Sequence, residues 1–201
     1  LSALSAKAFG FPRAIAHGMY TASRALTEPR PDLTTPLRWD VSFDAPVTLP
    51  GTVLAGQGTM RFFGREVYQA RLWVSPGFAP ERYGDQPLAL ALTSQRTFTA
   101  QAIAKRSIEE MRRVAPFSNE QAERWQAALQ DALPDVKPGD TLTGIYRPGG
   151  GAVFRMGDKV VGEVADPEFA RLFFGIWLSP NTSEPALRQA LLASRNTSGS
   201  P

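Results

Sequence analysis

The chain predicts an α+β fold in which an antiparallel sheet is covered by a layer of helices, and three observations carry that prediction. Between residues 142 and 164, short β-rich runs are separated by glycine-bearing turns too tight for a crossover, so neighbouring strands must run antiparallel. Immediately afterwards, Phe169, Leu172, Phe173 and Ile176 recur at helical spacing and give a helix one apolar face to lay on that sheet. Two further helical stretches stand between an earlier strand and these, and helices inserted among antiparallel strands make a layered α+β domain.

Along the chain, the first pattern is a helical stretch of good formers from Tyr20 to Leu26, entered through Ile15-Ala-His-Gly-Met19 and ended by Glu28-Pro-Arg-Pro31. Leu37, Trp39, Val41 and Phe43 then alternate with Arg38, Asp40 and Ser42 as a half-buried strand, and Val47 to Val53 is expected to be its neighbour, interrupted at Pro50-Gly51. A second domain opens near Gly56-Gln-Gly58. Its first strands are Met60 to Phe63 and Val67 to Val74, joined at a tight Gly64-Arg65 turn. On the second of these, Tyr68, Ala70, Leu72 and Val74 share one face and Val67, Gln69, Arg71 and Trp73 the other, so both faces are expected to be covered. Ser75 to Gln86 reads as a loop.

Leu88, Leu90 and Leu92 alternate with alanines in a third strand that leaves room beside its small residues. A helix is expected from Thr99 to Val114, with Ile103, Ile108 and Met111 inward and Lys105, Arg106, Glu109, Glu110, Arg112 and Arg113 mostly outward. Ser118 with Gln121 forms a capping box for the next helix, whose Trp125, Leu129 and Leu133 face the core. Pro138, Gly139 and Asp140 start a turn into the strand Leu142 to Tyr146, which stops at Pro148-Gly-Gly-Gly151. Val153 to Met156 and Val160 to Val164 make a hairpin about Gly157-Asp158-Lys159. Asp166 caps the helix that follows and Pro167 suits its first position. A short helix near Pro185 to Ala193 closes the domain, and residues 196–201 read as a disordered tail.

Composition narrows the functions available. A chain of 201 residues with 43% hydrophobic and 20% charged residues has material for a core and belongs with ordinary globular proteins. Its net charge of +3 is spread among acids, which argues against a nucleic-acid surface. No run is apolar enough to span a bilayer. With no cysteine and one histidine, disulfides, thiolate sites and a zinc centre are not expected, and no cofactor is read from the sequence. No basic-then-apolar signal segment follows Leu1.

The stretch LPDVKPGDTLTGIYRPGGGAVFRMGDKVVGEVADPEFARLFFGIWL resembles the C-terminal half of the bacterial chalcone-isomerase-like family, and the likeness extends over roughly residues 55 to 193. That resemblance implies an open-faced β-sandwich domain over residues 55–195 and leaves activity open, because the fold serves both cyclising isomerases and non-catalytic fatty-acid binders. In isomerases of this fold it implies an arginine, a threonine, a tyrosine and an asparagine as working residues. Laid along this chain, the arginine falls on Arg61, the threonine near Tyr68, the tyrosine near Phe98 and the asparagine near Lys105. Only the arginine is kept. Phe98 has no hydroxyl to donate to an enolate, so ring closure would lose a main electrostatic partner.

Residues 1–54 are similar to the middle of a MaoC-like, hot-dog dehydratase, on LSALSAKAFGFPRAIAHGM and LRWDVSFDAPVTLPGTV. This implies an incomplete helix-plus-two-strand fragment, in which the backbone N–H of Gly18 beside His17 would help hold a thioester oxygen. The acid and base of that family lie upstream of the helix, and a proton must move for hydration to proceed. The first resemblance implies an exported protein, the second a cytoplasmic one.

The leading expectation is a non-catalytic domain that binds a small apolar acid, such as a fatty acid, in a cleft between sheet and helices. Arg61 would hold the carboxylate in bidentate fashion and Tyr68 would hydrogen-bond it, with Phe98 and Lys105 the further candidates. Arg61 has an alternative as an exposed residue paired with a nearby carboxylate, and Tyr68 as a core residue. Two other functions stand beside the first: a lyase or isomerase, by chalcone-type cyclisation or by thioester hydration, and a scaffold domain with no ligand.

Overall fold

The computed structural model describes Leu49 and residues 51–193. The chain divides into two compact units, Leu1–Ala45 and Pro46–Pro201, and every described residue belongs to the second. The helix and strand expected over residues 15–43, His17 and Gly18 with them, and the tail over 196–201 lie outside the described residues.

A single antiparallel sheet holds β1 (Val53–Phe62), β2 (Arg65–Val74), β3 (Leu88–Ser94), β4 (Thr141–Arg147), β5 (Gly151–Met156) and β6 (Lys159–Val164), each beside the next in chain order. Two helices, α1 (Ala100–Val114) and α2 (Asn119–Ala132), stand between β3 and β4; α3 (Pro167–Leu178) and α4 (Pro185–Leu191) follow β6. This is the α+β architecture that the alternation of turns and periodic stretches predicted. The local signals hold as well. The Ser118 side chain accepts from the Gln121 N–H while the Gln121 side chain accepts from the Ser118 N–H, and Asp166 caps α3 with Pro167 in its first turn.

Three expectations about the elements need correction. Val53 opens β1, which runs on to Phe62 as one strand. Its apolar alternation is disguised by Gly56 and Gly58, and both are glycine because α4 lies on them: a Cβ at Gly56 would come 2.3 Å from the Ala190 carbonyl oxygen, and one at Gly58 2.7 Å from Leu187. Second, the β1–β2 turn is centred on Phe63-Gly64, not Gly64-Arg65. Both central residues have positive φ, +48° and +74°, as a type I′ turn requires. Third, the stretch expected as loop contains a 3-10 turn, Pro80–Asp85, tied down by two tyrosines. The Tyr146 hydroxyl donates to the Gly84 carbonyl at 2.7 Å and the Tyr83 hydroxyl to the Arg171 carbonyl at 3.1 Å.

The core lies between the sheet and the helices. Ala70, Leu72 and Val74 of β2, Leu88 and Leu90 of β3 and Phe154 of β5 meet Phe169, Leu172, Phe173 and Phe174 of α3 in one buried cluster. Where the sequence gives α3 one apolar face, the structure buries it nearly all round, because α1, α4 and the 3-10 turn flank it while β4 and β5 lie beneath. Each phenyl so enclosed contributes about 1.5–3 kcal/mol. Trp125, Leu129 and Leu133 are buried as expected. On the reverse face Trp73, Ala89, Ile145 and Val153 are buried too, as the paired aromatic faces of β2 predicted. Helices also approach both edge strands, α4 at Gly56 on β1 and α2 at Gly162 on β6, where an added Cβ would sit 2.2 Å from the Ala132 oxygen.

Candidate functional site

A small apolar void lies under α3. Leu90, Leu92, Leu142 and Phe154 from the sheet and Phe173 and Trp177 from α3 line a cavity of about 10 Å³, with almost no polar surface. Gly144 floors it because Phe174 occupies the space a side chain would need: a Cβ there would be 3.1 Å from the ring. The volume is about that of one water-sized body.

A polar group bonded to one of its walls is Tyr68. It lies on the helix-covered face of β2, and the Trp177 indole N–H donates to its hydroxyl oxygen at 3.0 Å. Among the described residues no acceptor takes the Tyr68 proton, so the hydroxyl is a donor with its acceptor role already filled. Burial dominates and pushes its pKa up to about 12 from 10.0, with the Trp177 bond opposing. The phenol therefore stays protonated across the physiological range. Glu184, Glu110 and Arg106 act on it electrostatically.

Glu110 is the site feature the sequence reading missed. It was counted among the outward charges of α1, but its side chain is only 9% exposed, with Arg106 at 2.6 Å and Arg113 at 3.5 Å. The signal was available in the spacing, since a carboxylate four residues after one arginine and three before another meets both on a helix.

Arg61 does not join this group. Met60 packs against the core, but β1 and β2 shift register between Met60 and Arg61, and Arg61 lies at the solvent-exposed surface. There the Arg61 guanidinium donates to the Glu66 carboxylate at 2.8 Å, with its side chain 62% exposed. The expectation that Arg61 anchors a carboxylate in the sheet-helix cleft is thus corrected in favour of its alternative, an exposed cross-strand pair. Phe98 is half-buried and bridges Val136 through two backbone hydrogen bonds of 2.9 Å, and Lys105 is exposed on α1. Of the four candidates only Tyr68 is directly bonded to a cavity-lining residue. Among the described residues no cluster of histidine, cysteine or acidic side chains is arranged to hold a metal, and no helix is long and apolar enough to cross a membrane.

A family model described as chalcone isomerase-like matches residues 40–193. An uncharacterized protein of Haemophilus influenzae is 29% identical over 126 residues, which cover 63% of this chain and 60% of that protein. A 3-hydroxyacyl-thioester dehydratase X of Mycobacterium tuberculosis is 45% identical over 49 residues, or 24% of this chain and 18% of that one. The chain therefore spans less than two thirds of either relative's length. Among solved structures, a fatty-acid binding protein of Arabidopsis thaliana superposes with a TM-score of 0.55 at 12% identity, covering 71% of this chain and 87% of that chain. At that identity the likeness is one of fold.

Proposed function

Because the chain belongs to the chalcone isomerase-like family, we propose that its sheet-helix interior binds a small apolar carboxylic acid, such as a fatty acid, without transforming it. The observation that carries this reading is the Tyr68 hydroxyl, held with its own proton free by Trp177, a residue that also lines a space of leucines and phenylalanines. A neutral phenol donates to a carboxylate or ester oxygen, and apolar walls accept the chain. The Arabidopsis protein of the same fold is by its title a fatty-acid binder, which supports this ligand class. Absence of turnover follows from the same residues. Phe98 stands where the isomerase resemblance requires a hydroxyl, and a phenol with a pKa raised to about 12 is a poor general base at neutral pH.

Ligand pockets usually measure about 300–1,000 Å³, so the 10 Å³ space must open to admit a chain. The side chain to move is Phe173 of α3, since Trp177 holds Tyr68. The same small volume favours a second reading, a scaffold domain with no ligand. Titration with a dansyl-labelled fatty acid separates the two. Binding should be saturable, and Tyr68→Phe should weaken it about tenfold or more, the worth of one hydrogen bond to a charged acceptor. Lack of saturable binding would leave the scaffold reading. Spectroscopic assays of chalcone cyclisation and crotonyl-thioester hydration should both be flat, and turnover in either would overturn the non-catalytic reading.

A further inference from the structure

The tip of the β1–β2 hairpin carries two phenyl rings that the fold does not use. Phe62 is 60% exposed and Phe63 90%, with centroids 4.5 Å apart. Phe63 stands at the first central position of a type I′ turn with φ of +48°, a place that favours asparagine or glycine and is costly for a bulky residue. Packing offsets little of that cost, since the ring's aromatic contact is with Phe62, itself mostly exposed. Around the apex, Arg61 and Arg65 flank the pair in sequence, and Arg96 reaches it from the β3–α1 loop by donating from Nε to the Glu66 carbonyl at 3.3 Å. Of these three arginines, Arg61 is paired with the Glu66 carboxylate, while the Arg96 guanidinium is bonded to the Glu66 backbone carbonyl rather than its carboxylate. Arg65 has no ion-pair partner among the described residues.

Exposed aromatic rings at an apex with a cationic collar match a bilayer surface, whose headgroup region takes the rings while anionic phosphates take the guanidiniums. We propose that this hairpin tip docks the protein on anionic lipid membranes, with Phe62 and Phe63 entering the interface and Arg61, Arg65 and Arg96 on the headgroups. The surface is separate from the cleft under α3 and does not depend on whether that cleft takes a ligand. It is small and convex, which suits a fluid bilayer better than a protein partner, whose stable interfaces need a broader buried patch.

The test is cosedimentation of the full chain with phosphatidylcholine vesicles, with and without about 30% phosphatidylglycerol. Wild type should pellet with the anionic vesicles and far less with the neutral ones. Phe63→Asn makes the preferred Asn-Gly turn, so the fold should be kept or stabilised while vesicle affinity falls about tenfold. Arg65→Gln should lower affinity for the anionic vesicles about fivefold. Equal pelleting of wild type with both vesicle types, or unchanged affinity in Phe63→Asn, would overturn the proposal. So would vesicle-independent dimers in sedimentation velocity that vanish in Phe63→Asn, because the rings would then serve a second copy of the chain.

Discussion

Asp166→Ala removes one small side chain and three hydrogen bonds, two that cap α3 and one that ties it to α2. Its Oδ1 accepts from the Glu168 and Phe169 N–H groups at 2.9 and 3.0 Å, and its Oδ2 accepts from the Trp125 indole at 2.7 Å. Loss of the cap costs about 1 kcal/mol. The Trp125 side chain is enclosed by Phe117 and Phe169, with 3% of the residue exposed, and an indole N–H stranded there costs about 1–3 kcal/mol more. The expected loss is therefore about 2–4 kcal/mol, or a Tm lower by roughly 5–15 °C for a unit of this size. Urea unfolding followed by near-ultraviolet circular dichroism measures it, in wild type, Asp166→Ala, Trp125→Phe and the double variant. Because Trp125→Phe deletes the donor, the second substitution should cost less in its presence than alone, by about 1 kcal/mol or more. A loss below about 0.5 kcal/mol in Asp166→Ala, or strict additivity in the double variant, would refute the argument that this carboxylate ties α2 to α3.

Gly162→Ala places a methyl 2.2 Å from the Ala132 oxygen, a backbone atom that cannot rotate away, so α2 must shift off β6. Thermal melts should show a loss of about 1–3 kcal/mol, and an unchanged Tm would contradict the close approach. At high pH, Tyr68 contributes a definite slope: its folded pKa, about 12, lies above the unfolded value of 10.0, so the folded state holds its proton more tightly. Stability from this group is complete below pH 10 and is lost as pH rises from there through about 12, by about 1–3 kcal/mol in total. Tyr83 and Tyr146, both raised chiefly by burial, add slopes of the same sign. Urea midpoints at pH 9 and pH 11 should therefore converge in part in Tyr68→Phe, and an unaltered pH dependence would show the hydroxyl to be solvated. Arg61→Ala removes an exposed ion pair and should change stability by less than about 0.5 kcal/mol, with dansyl-fatty-acid affinity unmoved; a loss of affinity would restore the anchor role the sequence suggested.

What the sequence made legible is what short-range chemistry decides. Asp166-Pro167 and Ser118 with Gln121 mark helix starts because a cap needs only its own first turn, and both are where the residues put them. The Gly157-Asp158 turn was equally readable from its neighbours. The extent of β1 was not, because Gly56 and Gly58 are there for α4, more than a hundred residues further along. Which of the two roles offered for Arg61 it takes was not legible, because a one-residue change of phase inverts every side chain on a strand, and β1 and β2 shift register between Met60 and Arg61. The bond between Trp177 and Tyr68 spans 109 positions and leaves no local pattern. Glu110 was misjudged for a different reason: helical charges are usually solvated, and only two arginines close enough to neutralise it make its burial tolerable.

The insertion of α1 and α2 between β3 and β4 sets an order on how the chain assembles. Neighbouring strands elsewhere in the sheet are joined by turns of two or three residues or, between β2 and β3, by residues 75–87, but Thr93 meets Thr141 from 48 positions away. Closing a loop of that length costs roughly 3 kcal/mol of chain entropy. The hairpins β1–β2 and β5–β6 are therefore expected to zip early, and the β3–β4 seam to form last, once both halves of the sheet exist. Pulse-labelled amide exchange that found this seam protected before the hairpins would reverse the order. Nucleation thus belongs to the two ends of the sheet and the slow step to its middle.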